Sequence, residues 1–322
     1  MTSNQALPAT GGPATYRRNH HRRPLSLSSP RVARWVLGAP LLVFLLVFVL
    51  YPSALGIWIS LTNRELLNPD PVFIGLDNFV TAVTDSSFWD SVTFTLRFSA
   101  VVTSIALVTG LGLALLVHQR FPGKRWLFTA LLLPIMIAPA LMGIMFRLLL
   151  NSEMGLVPAV LGNLGLDISL FHPDNVVTLL MVLDVLQWTP FTFLIIYSGL
   201  QSMPTELYEA AAIDGATYAR ALRSITLPLL SPILFAAGFL RAVDALRTFD
   251  VIYVLTGGGP GNRTTTIQIW VYKTAFVDGR FGVAAAASVV LMLLILPLVP
   301  WTINRVVPRR TQRAARRTTF TR

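Results

Sequence analysis

The chain has 322 residues and a formal net charge of +11, yet 54% of it is hydrophobic and only 13% charged. A soluble globular domain of this size carries far less apolar sequence, so the composition points to an integral membrane protein. With no cysteine there is no disulfide framework and no thiolate chemistry, and the positive charge sits at the two ends instead of forming a nucleic-acid-binding face.

Residues 1–30 are basic and rich in Pro, Ser and Thr, the composition of a disordered tail. The apolar run that follows is too long for a signal peptide and lacks a small-residue cleavage site, so it reads as an uncleaved anchor. A bilayer core takes ~20 apolar residues per helix. Six stretches meet that length: 35–61, 91–117, 126–150, 176–200, 227–248 and 283–307. All are expected to be helical, which gives an all-α polytopic fold with a six-span membrane domain over 31–307 and a second basic tail over 308–322. With the N-terminus inside, the inner segments hold eighteen Lys/Arg and the outer loops four (Arg64, Arg263, Lys273 and Arg280). That asymmetry predicts a multi-pass protein of the cell membrane with both termini in the cytoplasm.

The first outer loop contains Phe73-Ile74-Gly75-Leu76-Asp77-Asn78-Phe79, a short amphipathic segment. The last contains Leu255-Thr256-Gly257-Gly258-Gly259-Pro260-Gly261, a flexible turn. The glycine run is not a phosphate loop, because no Gly-Lys-Ser/Thr follows it.

The loop over 201–226 has a different character from the apolar runs around it. Ser202 is placed to cap a helix, Pro204 suits a first turn, and Glu206 adds a favourable charge near the helix start. Gly215 is placed to stop that helix in a left-handed conformation. A second short helix is expected through Tyr218, Leu222 and Ile225, ending before Pro228. Three consecutive alanines, Ala210 to Ala212, leave a narrow ridge that another protein's cleft could grip.

Glu209-Ala210-Ala211, then Gly215, then Ile225-x-Leu227-Pro228 resembles the "EAA" loop of permease subunits in ATP-binding-cassette (ABC) importers. The two outer-loop strings are similar to the maltose and glycerol-phosphate permease type, and the resemblance runs from Trp35 to Val307. It also extends to the permeases of mycobacterial disaccharide importers, including the trehalose system. It implies a type I importer fold in which Glu206, Glu209, Ala210, Ala211, Asp214 and Gly215 form a cytoplasmic coupling helix. The implied partners are a second homologous permease, two copies of a cytoplasmic ATPase and an external solute-binding (lipo)protein. ATP and Mg would sit on the ATPase, and this chain would be non-catalytic and bind no cofactor.

No catalytic or metal-binding set is evident: His20, His21, His118 and His172 lack ligand spacing. The informative residues are polar ones inside apolar spans. Asp184, Gln187 and Trp188 are spaced i, i+3, i+4 and share one helix face; Arg241, Asp244 and Thr248 share another by the same spacing. At 1.5 Å per residue, Asp184 lies ~12 Å below the outer end of its span and Arg241 ~21 Å above the start of its own, so both sit in the outer half and can meet. A carboxylate, a guanidinium and an aromatic ring are what a sugar needs for its hydroxyls and its C–H face. The resemblance places Asp184, Trp188, Arg241 and Thr248 at or near the sugar-lining positions of maltose-type permeases. The same residues could instead form an Asp184–Arg241 or Arg241–Asp244 ion pair that only joins helices. Arg97 and Arg147 read as structural or snorkelling. Two competing functions remain open: an ion-coupled secondary transporter titrating Asp184 and Asp244, and a membrane scaffold with no transport role.

Overall fold

A backbone in hydrocarbon has no water to satisfy its polar groups, so the apolar stretches are expected to be helices. The computed structural model describes residues 30–67, 70–119, 122–151, 153–165 and 170–296. An isolated antiparallel bridge pairs Thr62 with Phe73. Both basic tails and the end of the sixth expected span lie outside the described residues.

The chain divides into two units, Met1–Ala54 and Leu55–Arg322. In the first, α1 (Pro30–Leu45) leads into a π-helical turn, Leu46–Leu50, and then the start of α2 (Tyr51–Ser60). The second unit holds the rest: α3 (Asp77–Thr84), α4 (Ser86–His118), α5 (Lys124–Leu132), α6 (Pro139–Leu149), α7 (Leu156–Asn163), α8 (Val176–Gln201), α9 (Glu206–Ile213), α10 (Tyr218–Ala221), α11 (Leu227–Ala245), α12 (Asp250–Thr256), α13 (Ile267–Tyr272) and α14 (Phe281–Ile295).

Four helical runs are long and apolar enough to cross a membrane: Leu37–Ser60, Ser86–His118, Val176–Gln201 and Tyr218–Ala245. The third expected span is not one straight helix. Lys124–Met136 and Pro139–Leu149 meet at 97°. The break has a local cause. Pro134 and Pro139 supply no amide hydrogen, and Ala138, the residue before Pro139, takes φ −59°, ψ 136°, outside the α region. The freed carbonyl of Ile137 accepts a hydrogen bond from Gln187 Nε2 at 3.1 Å, so the irregular backbone is satisfied inside the protein.

The fifth run also departs from expectation. The helix starting at Tyr218 does not end before Pro228 but continues through a π-helical turn, Leu222–Thr226, into α11. Pro228 falls in the first turn of α11, and the wider π turn before it relieves the clash its ring would make with a carbonyl four residues earlier. At the other end α11 stops at Ala245, so Thr248 lies beyond the helix and does not share its face with Arg241 and Asp244. The described part of the sixth stretch, α14, has 15 residues, fewer than a ~30 Å core requires.

The long helices α4 and α8 pack side by side, and α11 packs against both. Their approach is close because Gly110 faces Thr192: a Cβ at Gly110 would lie 2.5 Å from Thr192 Oγ1. That hydroxyl donates across the interface to the carbonyl of Ala106 at 2.8 Å. One buried cluster (Val117, Phe193, Ile196, Leu200 and Leu230) fills the α9-proximal end of these helices. Another (Phe98, Leu180, Leu183, Ile252 and Leu255) fills the opposite end, where Arg147 Nη1 donates to the carbonyl of Val254 at 3.2 Å and ties α6 to α12. Asn78 does more than its amphipathic segment suggests. Its buried Nδ2 donates to the carbonyls of Ser60 and Thr62 at 2.9 and 2.8 Å, fastening α3 to the end of α2.

Candidate functional site

The polar cluster is built on two helices whose depths agree. Asp184 projects from α8 and Arg241 from α11, and both are buried, with side-chain exposures of 5% and 0%. Arg241 Nη2 donates to Asp184 Oδ1, and Nη1 reaches Asp244 Oδ2 at 3.4 Å. The guanidinium carbon lies 5.8 Å from the centre of the Trp188 ring, a cation–π arrangement. One guanidinium is thus neutralised by two carboxylates and covered by an indole. Asp184 and Gln187 are buried while Trp188 is half-buried, so the ring is the most exposed member of that triplet. Asp244 keeps 40% of its side chain exposed.

Beside the pair lies a cavity of about 70 Å³, lined by Pro139, Asp184, Trp188, Asp244, Arg247, Thr248, Phe249, Asp250 and Val251. Pro139 reaches it because of the bend between α5 and α6. Thr248 does so from the turn after α11, where its carbonyl accepts from Thr266 Oγ1 at 3.2 Å. Phe249 and Pro139 carry no polar signal, so sequence reading overlooks them. Ligand sites usually measure ~300–1,000 Å³. A 70 Å³ space is therefore too small to enclose a sugar by itself.

At the far end of α8 and α11, the helix α9 carries the other candidate set. None of its residues is buried; Glu206, Glu209, Ala210, Asp214 and Gly215 are exposed and Ala211 is half-buried. Gly215 adopts φ +72°. Its N–H donates to the carbonyl of Ala212 and that of Ala216 to the carbonyl of Ala211, which is a Schellman ending. Ser202 does not cap α9: its hydroxyl donates to the carbonyl of Gly199 at 2.8 Å and closes α8, while Thr205 precedes α9 without a side-chain cap. The Tyr208 hydroxyl lies 3.0 Å from Thr226 Oγ1, joining α9 to the base of α11.

Among the described residues no group of His, Cys, Asp and Glu is arranged to hold a metal ion. Arg97 is exposed on α4, and Arg247 and Asp250 are exposed at the cavity.

Relatives of known description bear on these features. The chain is 38% identical over 259 residues to the trehalose/maltose transport system permease protein MalF of Thermococcus litoralis, covering 80% of this chain and 88% of that one. It is 36% identical over 273 residues to the sn-glycerol-3-phosphate transport system permease protein UgpA of Escherichia coli, covering 83% and 92%. Its fold matches a chain in the crystal structure of a bacterial ABC transporter that imports the acidic polysaccharide alginate, with TM-score 0.74, 22% identity and coverage of 86% and 96%. These relationships do not favour an ion-coupled secondary transporter. Residues 10–312 match the family of binding-protein-dependent transport system inner membrane components, and the chain belongs to that family.

Proposed function

We propose that this chain is one permease subunit of an ATP-driven ABC importer that passes an uncharged sugar, a disaccharide such as trehalose or maltose or a related polyol, from an external solute-binding protein to the cytoplasm. The observation that carries this reading is the Asp184–Arg241–Asp244 cluster with its Trp188 cover, held inside apolar helices of a family member. Ionisable groups at that depth are costly and normally face a path or a partner. Around the cavity, Asp184, Asp244 and Asp250 stand against Arg241 and Arg247, one negative charge in excess. That balance favours a neutral polyhydroxylated solute, whose hydroxyls bond to carboxylates and whose C–H face stacks on Trp188, over an anion. The similarity to a trehalose/maltose permease agrees with this choice.

A lone subunit forms half of the path. A second homologous permease supplies the other wall, and two copies of a cytoplasmic ATPase bind and hydrolyse ATP with Mg. In this arrangement both termini are cytoplasmic, and α9 is the coupling helix: Glu206, Glu209 and Asp214 face the ATPase, Ala210 and Ala211 fit its cleft, and Gly215 fixes the end. Movement of α9 passes through the Tyr208–Thr226 contact into α11, which carries Arg241 ~22 Å away. Sliding α11 against α8 would open the Asp184–Arg241 pair and expose its groups to the sugar.

The test is purification in mild detergent through a tag on this chain. Recovery of an ATPase and a second permease is expected, with the ATPase lost in Glu209→Arg. Isolation of this chain alone or as a homo-oligomer, even after crosslinking, would refute the reading.

A further inference from the structure

Two cavities meet at Arg64, on the face expected to lie outside. The first, about 170 Å³, is polar and lined by Asn63, Arg64, Glu65, Asn78, Thr81 and Arg280 among others. The second, about 420 Å³, is almost wholly apolar and has Arg64 at its edge. Its walls are single helix faces: Leu55 and Ile59 of α2, Val271 and Ala275 four residues apart, and Ala284 and Ser288 of α14.

The charges at the junction are unbalanced. Arg64 and Arg280 face one carboxylate, Glu65, and among the described residues neither guanidinium has an ion-pair partner within 4.0 Å. Arg64 is exposed and Arg280 half-buried, so both can reach a ligand. A polar cavity with an excess positive charge opening onto an apolar groove matches a molecule with an anionic head and a hydrocarbon tail. Arginine presents paired donors suited to a phosphate.

We propose that Arg64 and Arg280 hold the phosphodiester of an anionic phospholipid of the outer leaflet, with one acyl chain in the groove below. Asn63 Nδ2 offers a further hydrogen bond to the head, its Oδ1 being held by the N–H of Val72. The site joins the end of α2, the π-helical turn Lys273–Val277 and the start of α14, so an occupying lipid would clamp these three segments together. The lipid is neither the transported solute nor part of its path, and the site stands whether or not the solute is a sugar.

The experiment is native mass spectrometry of the full chain in its purified assembly, exposed to phosphatidylglycerol or to phosphatidylcholine with matched acyl chains. Phosphatidylglycerol is expected to be retained preferentially. The Arg64→Gln/Arg280→Gln double variant should retain it about 25-fold less well, since each arginine near an anionic lipid contributes roughly fivefold. Ala285→Trp, which fills the groove and leaves both arginines in the sequence, should also reduce retention. Arg263→Gln, an outer arginine already near Asp174, should not. Equal retention of the two lipids, full retention in the double variant, an equal loss in Arg263→Gln, or displacement by inorganic phosphate with no effect of Ala285→Trp would each overturn the proposal. The last of these would mark a free-anion site instead.

Discussion

The Asp184–Arg241 pair gives the sharpest prediction, because a structural tie and a transport element respond differently to the same substitutions. Both side chains are buried, at 5% and 0% exposure. Replacing Asp184 with leucine leaves Arg241 with only the half-exposed Asp244 at 3.4 Å. Replacing Arg241 leaves Asp184 as an unpaired buried carboxylate. Removing one partner of such a pair typically costs ~3–5 kcal/mol, whereas replacing both with apolar groups of similar size is often neutral or stabilising. Each single variant is therefore expected to lower the apparent unfolding midpoint of the purified assembly by several degrees. Asp184→Leu/Arg241→Leu should recover most of that loss. Uptake should not recover, because the groups proposed to meet the sugar are gone. The assay is a thermal unfolding series on the two single variants and the double variant, with radiolabelled sugar uptake measured in parallel. A double variant that is stable and transports normally would reduce the pair to a helix tie and refute its place in the path. Single variants as stable as the parent would refute the burial argument itself.

Three further outcomes follow from other contacts. Gly110→Val puts a side chain 2.5 Å from Thr192 Oγ1 and is expected to cost ~1–3 kcal/mol, read as a lowered unfolding midpoint; an unchanged midpoint would mean that α4 and α8 can separate freely. Gly215→Leu forces a branched side chain into φ +72°, at ~1–2 kcal/mol, and with Glu209→Arg should abolish uptake while membrane insertion stays intact; normal uptake in both variants would refute the coupling role proposed for α9. Asn78→Ala leaves the carbonyls of Ser60 and Thr62 without their donor, at ~1–3 kcal/mol, so the 61–75 loop should become more sensitive to added protease; identical cleavage rates would show that the tie is dispensable.

Much of this was legible in the sequence, for reasons that particular residues make clear. Helical rise alone put Asp184 and Arg241 at one depth, and the structure brings them together. Gly215 announced the end of α9 because a left-handed position selects glycine strongly. The bend at 134–139 was not read, although Pro134 and Pro139 were its signal: both halves are apolar, so hydropathy runs through the break. Thr248 was assigned to the face of Arg241 because spacing assumes an unbroken helix, and α11 stops at Ala245. The continuation of the fifth run through Pro228 depends on a π turn, which no local residue preference marks. Gln187 was read for its polarity within an apolar span; its partner, the carbonyl of Ile137, exists only because the chain breaks elsewhere.

The central claim is that sugar crosses this subunit in an ATP-driven assembly. Its most direct test is uptake of labelled trehalose and maltose into proteoliposomes holding the purified complex and its solute-binding protein, with ATP supplied on the ATPase side. An ATP-driven importer gives uptake that requires ATP, survives collapse of proton and sodium gradients, and disappears in Asp184→Leu/Arg241→Leu. Uptake that runs on an ion gradient without ATP, or ATP hydrolysis that no sugar stimulates and no sugar movement accompanies, would contradict it.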